Sequence, residues 1–453
     1  MSESVIAAIA TPAGEGAIGI IRISGEGAIQ VADRVFFPVS KKPLSTLSGY
    51  RAAFGEIRDG DKFLDNGVAL VFKAPKSYTG EDTVEISVHG GALMVRQVLR
   101  AVLKNGAKPA QAGEFTKRAF LNQKLDLTEA ESVMGLISAE SEAGLQISRG
   151  ALEGRISKKI AEIEKNLIAA AASIAAYSDY PDEDIEGLDP ENFEKMLLSA
   201  QKELEKMLST YDAGKVLREG ITTAIIGKPN VGKSTLMNML SGEERSIVTE
   251  VAGTTRDIVE ETVTVGDIVL RLADTAGIRE TEDVVESIGV ELAHKKIESS
   301  QLVLAVFDGT KPLSCDDKKI LDSVKDKNVI VIINKTDLEC KISKEDFASF
   351  ETVEISAKEG DGYEKLCEAV AQISGAAALD PESAVLLNER QRLCAENATT
   401  AIAEAIAALQ AGETMDAVGV CVDDALARLL ELTGKRVTNE VADEIFRRFC
   451  VGK

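Results

Sequence analysis

Short apolar segments separated by turn residues run along the first quarter of the chain. Residues 17–24, 67–75 and 84–91 are apolar or alternate apolar with polar positions, and Gly and Pro punctuate them. Alternation with a period of two is typical of half-buried strands, while Gly and Pro mark the turns between them. The pattern predicts a small α+β domain over residues 1–118.

From residue 119 the apolar positions take on helical spacing. Residues 161–178 and 191–211 are rich in Ala, Leu, Glu and Lys, and an acidic stretch with two prolines interrupts them. A second helical region begins near residue 383. We expect 119–215 and 378–453 to be the two halves of one discontinuous α-helical domain, although two separate helical domains also fit the pattern.

Strand and helix patterns alternate between these helical regions. A strand over 222–226 leads into a glycine-rich loop and a helix over 235–242, and further strands and helices follow to about residue 375. This alternation is typical of a doubly wound parallel sheet. We therefore expect a multidomain chain in which an α/β P-loop domain, 216–377, is inserted into the helical domain.

The loop GKPNVGKS at 227–234 has the spacing and the strand-to-helix context of a phosphate loop. Its glycines, Gly227 and Gly232, allow backbone amides to surround phosphates. Lys233 can reach the outer phosphate oxygens, and the Ser234 hydroxyl can ligate Mg²⁺. The residues expected at the phosphates are Asn230, Val231, Gly232, Lys233, Ser234 and Thr235.

Two downstream segments complete the predicted phosphate site. The segment AGTTRD at 252–257 supplies threonine hydroxyls for Mg²⁺, and Asp274 in LADTAG would hold the ion through water. The Gly277 amide can contact the γ-phosphate, as in a switch that senses this group. The residues expected here are Thr249, Glu250, Val251, Ala252, Gly253, Thr254, Thr255, Asp274, Thr275, Ala276 and Gly277, with Thr255 as the second magnesium ligand.

The motif NKTD at 334–337 predicts recognition of guanine. The Asp337 carboxylate can accept hydrogen bonds from the ring N–H and the amino group of guanine, whereas adenine lacks these two donors. The residues expected at the base are Asn334, Lys335, Asp337, Ser356, Ala357 and Lys358. The predicted substrate is therefore GTP, and the predicted reaction is its hydrolysis.

The attacking water needs an unusual arrangement at this site. Ras-like switches place a water-orienting Gln directly after the DxxG glycine, but this chain has Ile278, which cannot orient water. No arginine finger is evident, and Asn230 can direct an oxygen toward a monovalent cation that would stabilise the transition-state charge instead. The following stretch offers four carboxylates for the water, most of which we interpret as solvated charge: Glu280, Glu282, Asp283 and Glu286.

Composition narrows the class of protein. The net charge of −22 repels polyanions, so a nucleic-acid partner requires a local basic patch or a basic accessory protein. No basic leader and no apolar run long enough for a bilayer is evident, so we expect a soluble, cytoplasmic protein. The six cysteines show no Cys-x-x-Cys pair, and we expect most to be buried, with Cys450 as the exception.

These motifs, together with residues 12–25, 77–91, 113–131 and the C-terminal CVGK, resemble those of the MnmE (TrmE) family of tRNA wobble-uridine modification GTPases. The resemblance covers nearly the whole chain. It implies an N-terminal domain that binds folate and dimerises, a discontinuous helical domain and an inserted nucleotide domain, in agreement with the boundaries above.

The resemblance also implies roles for individual residues. Family members hydrolyse GTP when two nucleotide domains meet across a potassium ion, and Glu286 matches the glutamate that positions water or acts as general acid/base. The positions that match the potassium motif are Asn230, Thr249, Val251 and Thr254.

The implied one-carbon donor is 5-formyl- or 5,10-methylene-tetrahydrofolate, at positions matching Arg22, Glu85 and Lys124. A carboxylate such as Glu85 suits the paired donors of a pterin, and the two cations suit its polar or anionic parts. Cys450 and Lys453 match a terminal cysteine and lysine that lie near the folate in the family.

The implied partner is MnmG, an FAD- and NADH-dependent protein that forms a heterotetramer with the homodimer and supplies much of the basic surface for tRNA. Together they add a carboxymethylaminomethyl or aminomethyl group to C5 of uridine 34 in certain tRNAs. A ribosome-assembly GTPase is the main alternative, but these proteins usually append an RNA-binding domain or a second nucleotide domain. A GTPase that controls a membrane transporter is disfavoured because no transmembrane segment is evident.

Overall fold

The computed structural model describes residues 4–12, 14–179, 190–242, 261–272 and 297–452. The chain divides by internal packing into two compact units. Unit 1 comprises Met1–Met134, Ile160–Glu194 and Thr400–Lys453, and unit 2 comprises Gly135–Lys159 and Lys195–Thr399. The predicted division into four segments follows the sequence pattern, whereas these two units follow internal packing. The two divisions are not equivalent, so the predicted domain boundaries remain a prediction.

Unit 1 contains a mixed sheet. Its described strands are β1 (Ile6–Ile9), β2 (Ile18–Ser24), β3 (Phe36–Pro38), β4 (Arg51–Asp59), β5 (Lys62–Phe72), β6 (Thr83–His89) and β7 (Lys108–Pro109). They are ordered β3-β4-β5-β6-β2-β1-β7, and neighbours run antiparallel except for the parallel pair β1–β7. The predicted strands within 17–24, 67–75 and 84–91 are confirmed as parts of β2, β5 and β6.

Helices α1 (Ala28–Asp33) and α2 (Ala92–Lys104) pack on one face of this sheet. Alternate residues of β2 and β6, such as Ile21 and Ile86, enter the shared core, as does Val98 of α2. Because side chains alternate along a strand, the intervening positions lie on the opposite face of the sheet. That face is the one that carries Arg22 and Glu85.

The remaining helices follow the predicted helical texture. They are α3 (Glu114–Leu121), α4 (Leu127–Ser138), α5 (Glu142–Leu152), α6 (Arg155–Asp179), α7 (Pro190–Ser209), α8 (Tyr211–Glu219), α9 (Lys233–Leu240), α10 (Cys315–Val324), α11 (Tyr363–Ile373), α12 (Glu389–Gln410), α13 (Met415–Thr433) and α14 (Asn439–Phe446). The helix expected from about residue 383 begins only at Glu389. Asn388 caps the N-terminus of this helix. Its side chain accepts a hydrogen bond from the Gln391 amide at 2.9 Å, and the Gln391 side chain accepts one from the Leu387 amide at 2.8 Å.

Unit 2 contains the predicted parallel sheet. Its described strands are β8 (Ile221–Ile226), β9 (Glu261–Val265), β10 (Ile268–Leu272), β11 (Leu302–Asp308), β12 (Asn328–Asn334) and β13 (Glu351–Glu354). Their order is β13-β12-β11-β8-β10-β9, and only β9–β10 is antiparallel. Every residue of β11 is buried, as expected for a strand covered on both faces. The fold class expected from the alternating pattern is confirmed.

The expectation that most cysteines are buried is wrong. Only Cys394 is buried; Cys367 and Cys421 are half-buried, and Cys315, Cys340 and Cys450 are exposed. Cys315 begins α10 and Cys340 lies in a loop, so neither occupies a core-facing position of a regular element. Among the helices described here, none is long and apolar enough to cross a membrane.

Candidate nucleotide and cofactor sites

The loop between β8 and α9 has the backbone conformations that a phosphate loop requires. Gly227 and Gly232 adopt φ values of 148° and 100°. A Cβ atom on Gly232 would lie 2.1 Å from Asn334 Nδ2, and one on Gly227 would lie 2.4 Å from the Val306 carbonyl oxygen. Only glycine fits at either position, because a side chain would meet both steric overlap and an unfavourable φ.

Lys233 lies at the start of α9 with its ammonium group turned into this loop. Its Nζ donates to the carbonyls of Gly227 and Lys228, each at 2.7 Å. Burial lowers the pKa of Lys233. No carboxylate within the described ranges pairs with it, so the positive charge remains available to a phosphate. Ser234 and Thr235 follow on the exposed surface of the same helix turn.

The NKTD motif holds the phosphate loop directly. Asn334 Nδ2 donates to the Val231 carbonyl at 2.9 Å, and Lys335 Nζ donates to the Asn230 carbonyl at 2.9 Å. Consecutive residues of one motif thus bind consecutive carbonyls of the other. Asn230 and Lys335 both have positive φ, 63° and 68°, and these bonds fix that uncommon backbone. The segment expected to read the base and the segment expected to bind the phosphates are therefore joined by hydrogen bonds.

Two residues of the predicted base site complete this arrangement. Asn334 Oδ1 accepts the backbone amides of Lys335 and Ala357, at 2.8 and 3.0 Å. Ser356 Oγ donates to Asp337 Oδ1 at 2.7 Å. The serine thereby orients the carboxylate that is expected to read guanine. Lys358 is solvent-exposed and pairs with Glu359 at 2.9 Å.

Asp308 belongs to this site although no sequence motif identifies it. Its Oδ2 accepts from Lys335 Nζ at 2.7 Å, and its Oδ1 accepts the Thr310 hydroxyl at 2.6 Å and amide at 3.1 Å. Burial favours the neutral acid, but these hydrogen bonds outweigh it and lower the pKa of Asp308 to about 2. The sequence does contain a signal for Asp308. This acid ends the apolar run of β11 at the carboxyl edge of a parallel sheet, where ligand-binding sites form.

Several predicted residues lie outside the described residues. They are Thr249, Glu250, Val251, Ala252, Gly253, Thr254, Thr255, Asp274, Thr275, Ala276, Gly277, Ile278, Glu280, Glu282, Asp283, Glu286 and Lys453. Of the predicted magnesium pair, Ser234 is described and Thr255 is not. No group of three or more His, Cys, Asp or Glu side chains suited to a metal ion occurs in the described part of the chain.

In unit 1, Arg22 and Glu85 face each other across β2 and β6 and form an ion pair. Arg22 Nε and NH2 each lie 2.8 Å from Glu85 Oε1. The rings of Tyr78 and Phe115 lie 5.5 and 5.6 Å from the guanidinium carbon. The site combines paired charges with aromatic surface, which suits a flat, polar heterocycle.

A loop before β6 carries Tyr78 to this site, and Lys124 contacts another part of the same loop. Lys124 Nζ donates to the Pro75 carbonyl at 3.3 Å, and Asn122 donates to the Thr79 carbonyl at 2.8 Å. Tyr78 hydroxyl lies 2.9 Å from Thr116 Oγ1, and burial raises the pKa of Tyr78. Lys124 remains exposed at the edge of the loop.

The C-terminal tail joins the same site through its backbone. Val451 forms an antiparallel bridge with Ala112, and the Gly113 amide donates to the Cys450 carbonyl at 3.3 Å. Arg22 NH1 donates to the Gly452 carbonyl at 3.2 Å. The structure thus brings the exposed Cys450 beside the segment that contacts Arg22, a placement that sequence spacing alone does not give.

Comparisons with known proteins show which proteins this chain is similar to. Residues 5–124 match the family model of the GTP-binding protein TrmE N-terminus, and residues 127–450 match that of the MnmE helical domain. The tRNA modification GTPase MnmE of Clostridioides difficile is 39% identical over 100% of this chain and 99% of its own length. That of Geobacillus kaustophilus is 41% identical over 99% of each. Aquifex aeolicus Era, solved with GDP and AlF₄⁻, is 28% identical over 40% of this chain and 66% of its own, with a TM-score of 0.26.

Proposed function

The chain belongs to the MnmE (TrmE) family of tRNA modification GTPases, and on that premise we propose that it works as a potassium-activated, folate-using homodimer on the wobble uridine. Its GTPase activity follows from the family. The observation that best supports the nucleotide assignment is the clamp of Asn334 and Lys335 on the carbonyls of Val231 and Asn230. It joins the segment that we expect to read guanine to the segment that we expect to bind the phosphates.

At the nucleotide, each group has a distinct task. Lys233 and the amides of the phosphate loop bind the phosphates, and Asp337, oriented by Ser356, reads guanine. Magnesium would be held by Ser234 and Thr255 and would neutralise charge on the β- and γ-phosphates. Potassium would be held by Asn230, Thr249, Val251 and Thr254, and it would supply the charge that an arginine finger supplies elsewhere.

Glu286 is the residue we assign to the attacking water. Ile278 occupies the position of the usual glutamine and cannot accept a proton or orient water. A carboxylate can do both, provided that it lies within hydrogen-bonding reach of the water. Glu286 is therefore a candidate for positioning water or for general acid/base catalysis.

In unit 1 we propose that 5-formyl- or 5,10-methylene-tetrahydrofolate binds at Arg22, Glu85 and Lys124. Both contacts from Arg22 go to Glu85 Oε1, so Oε2 can accept donors of a pterin. The folate would supply the one-carbon unit for the modification. Cys450 and Lys453 would act at the same site, because the tail backbone is tied to Arg22.

An exposed apolar face supports the proposed homodimer. Phe54 and Val68 are direct partners on β4 and β5, and they are 59% and 40% exposed. Phe37 on β3 and Ile18 on β2 are also exposed, at 45% and 62%. Apolar side chains exposed on one face of a sheet favour association with a second protein surface. Since Arg22 and Glu85 occupy the same sheet face, a second copy would close the cofactor site on one side.

The full reaction requires a second protein. We propose that MnmG supplies FAD and NADH chemistry in a heterotetramer, and that the product is a carboxymethylaminomethyl or aminomethyl group on C5 of uridine 34 of certain tRNAs. The cytoplasm, where tRNA is modified, is the proposed location.

Nucleoside analysis of tRNA tests this proposal. Total tRNA from cells with and without the gene should differ at the wobble uridine, with the modified nucleoside lost in its absence. The matched control is the same strain complemented with the intact gene. An unchanged wobble uridine in the deletion strain would sink the proposal.

A further inference from the structure

The negative charge of this chain is not shared evenly along its length. The segment that ends at residue 124, where the N-terminal family match ends, contains 16 Lys and Arg and 12 Asp and Glu, a net charge of +4. Because the whole chain has a net charge of −22, the remaining residues have a net charge of −26. A basic segment within an acidic chain is the local exception that binding to a polyanion requires.

Helix α2 concentrates that positive charge on one side. Its sequence, ALMVRQVLRAVLK, contains Arg96, Arg100 and Lys104 and no acidic residue. These three cations are exposed and four residues apart, while Val98 and Val102 of the same helix enter the core. Residues four apart share a helix face, with a rise of about 6 Å per step. Arg34 lies beside the end of this row, because its NH1 donates to the Asn105 carbonyl at 2.8 Å. We call these four cations the α2 ridge.

Folding alone explains only part of the ridge. Cations near a helix C-terminus interact favourably with its dipole, which accounts for Lys104 and Arg34. Lys104 also pairs with Asp59 at 2.9 Å. Arg96 and Arg100 lie further from that end, and like charges four residues apart destabilise a helix. Across the ranges that the structure covers, no carboxylate pairs with Arg34, Arg96 or Arg100.

We propose that the α2 ridge binds the phosphate backbone of the tRNA substrate, an inference that rests on the proposed function. Arg and Lys side chains neutralise nucleic-acid phosphates and supply the sequence-independent part of the affinity. The row of unpaired guanidinium groups presents such donors in a line. None of the ridge residues belongs to the nucleotide site or to the Arg22–Glu85 site, so the ridge adds a binding surface to the proposed reaction rather than a catalytic group.

Salt-dependent binding of an unmodified tRNA transcript to the full-length protein tests this inference. The variant R96Q/R100Q removes two unpaired cations and keeps long, helix-compatible side chains. The matched control is K41Q/K42Q, which removes two exposed cations of the same segment from the loop after β3. Both variants change the net charge equally; their melting temperatures should not fall below that of the wild type, and their GTP turnover should equal the wild-type rate.

If the ridge contacts phosphates, R96Q/R100Q should reduce the slope of log affinity against log salt by about 1.4 to 1.8, and weaken binding at least about tenfold at roughly 0.1 M salt. K41Q/K42Q should keep the wild-type slope. Equal losses in both variants, or no loss in R96Q/R100Q, would overturn the inference. So would a wild-type protein that fails to bind the transcript at low salt.

Cellular tRNA separates this inference from the proposed function. Loss of the modified nucleoside in the deletion strain together with normal modification and normal tRNA affinity in R96Q/R100Q would leave the function standing and reject the ridge. Loss of modification in R96Q/R100Q with unchanged tRNA affinity would also reject it, since the ridge would then serve a protein partner.

Discussion

Replacing Asp308 by asparagine tests whether the NKTD motif prearranges the phosphate loop. The carboxylate accepts hydrogen bonds on both oxygens, from Lys335 on one and from Thr310 on the other. An asparagine amide has only one acceptor oxygen, so either orientation loses one side of this arrangement. Lys335 would then lack its counter-ion while it still donates to Asn230.

The size of the effect follows from two independent routes. A shift in the pKa of Asp308 from 3.8 to about 2 corresponds to about 2 kcal/mol in favour of the ionised form. A charge-assisted hydrogen bond contributes about 1.5 to 3 kcal/mol. Lys335 is 33% exposed, and solvent screening reduces these values to about 1 to 2 kcal/mol. If all of this free energy contributes to ordering the phosphate loop, its loss weakens GDP binding roughly 5- to 30-fold.

The assay is titration of a fluorescent GDP analogue, with thermal unfolding of the nucleotide-free protein measured in parallel. Asp316→Asn is the control, because Asp316 lies on the surface and pairs with the equally exposed Lys319. A depressed pKa means that the stabilisation is present above the unfolded pKa of 3.8 and is lost only as pH falls through about 2. The difference between wild type and variant should thus be constant at neutral pH. Reduced stability with an unchanged GDP affinity would refute the proposed preorganisation.

Four further outcomes follow. GTP turnover, followed by phosphate release, should be much faster in potassium than in sodium salts, and equal rates would remove the role assigned to the cation. Glu286→Ala should bind GTP normally but lose hydrolysis; retained turnover would show that Glu286 does not position the attacking water. Cys450→Ser should preserve GTP turnover and abolish tRNA modification, and loss of both would contradict a separate role for the tail. Gly452→Ala should show the same split, because its Cβ would lie 2.3 Å from the Ile9 carbonyl oxygen at a φ of 102°; normal modification would show that the tail position is unimportant.

The sequence predicts elements whose information is local. The apolar runs of β8 and β12 and the phosphate loop between β8 and α9 are contiguous in the chain, so periodicity and motif spacing suffice to place them. The early start assigned to α12 is wrong even though the signal against it is also local. Residues 383–388 have acceptable helical composition, but Asn388 and Gln391 bind backbone amides at that point and favour a cap.

Contacts between distant residues are what the sequence cannot supply. Lys335 and Asp308 are 27 positions apart, and Arg22 and Gly452 are 430 apart. No period or motif links such pairs. The exposure of Cys315 and Cys340 also depends on distant contacts, since burial depends on what packs over a residue and not on its own polarity.

The net charge of the whole chain is also a poor guide to where a polyanion can bind. A value of −22 argues against contact with RNA, yet it is the sum of a basic segment and a strongly acidic remainder. Electrostatic attraction acts over about one Debye length, roughly 8 Å at physiological salt, so a phosphate group responds to the cations nearest to it. An acidic remainder then has a directional consequence. Its net negative charge opposes a polyanion, whereas the first 124 residues carry a net positive charge, so the proposed tRNA contact is favoured in the segment that carries the α2 ridge.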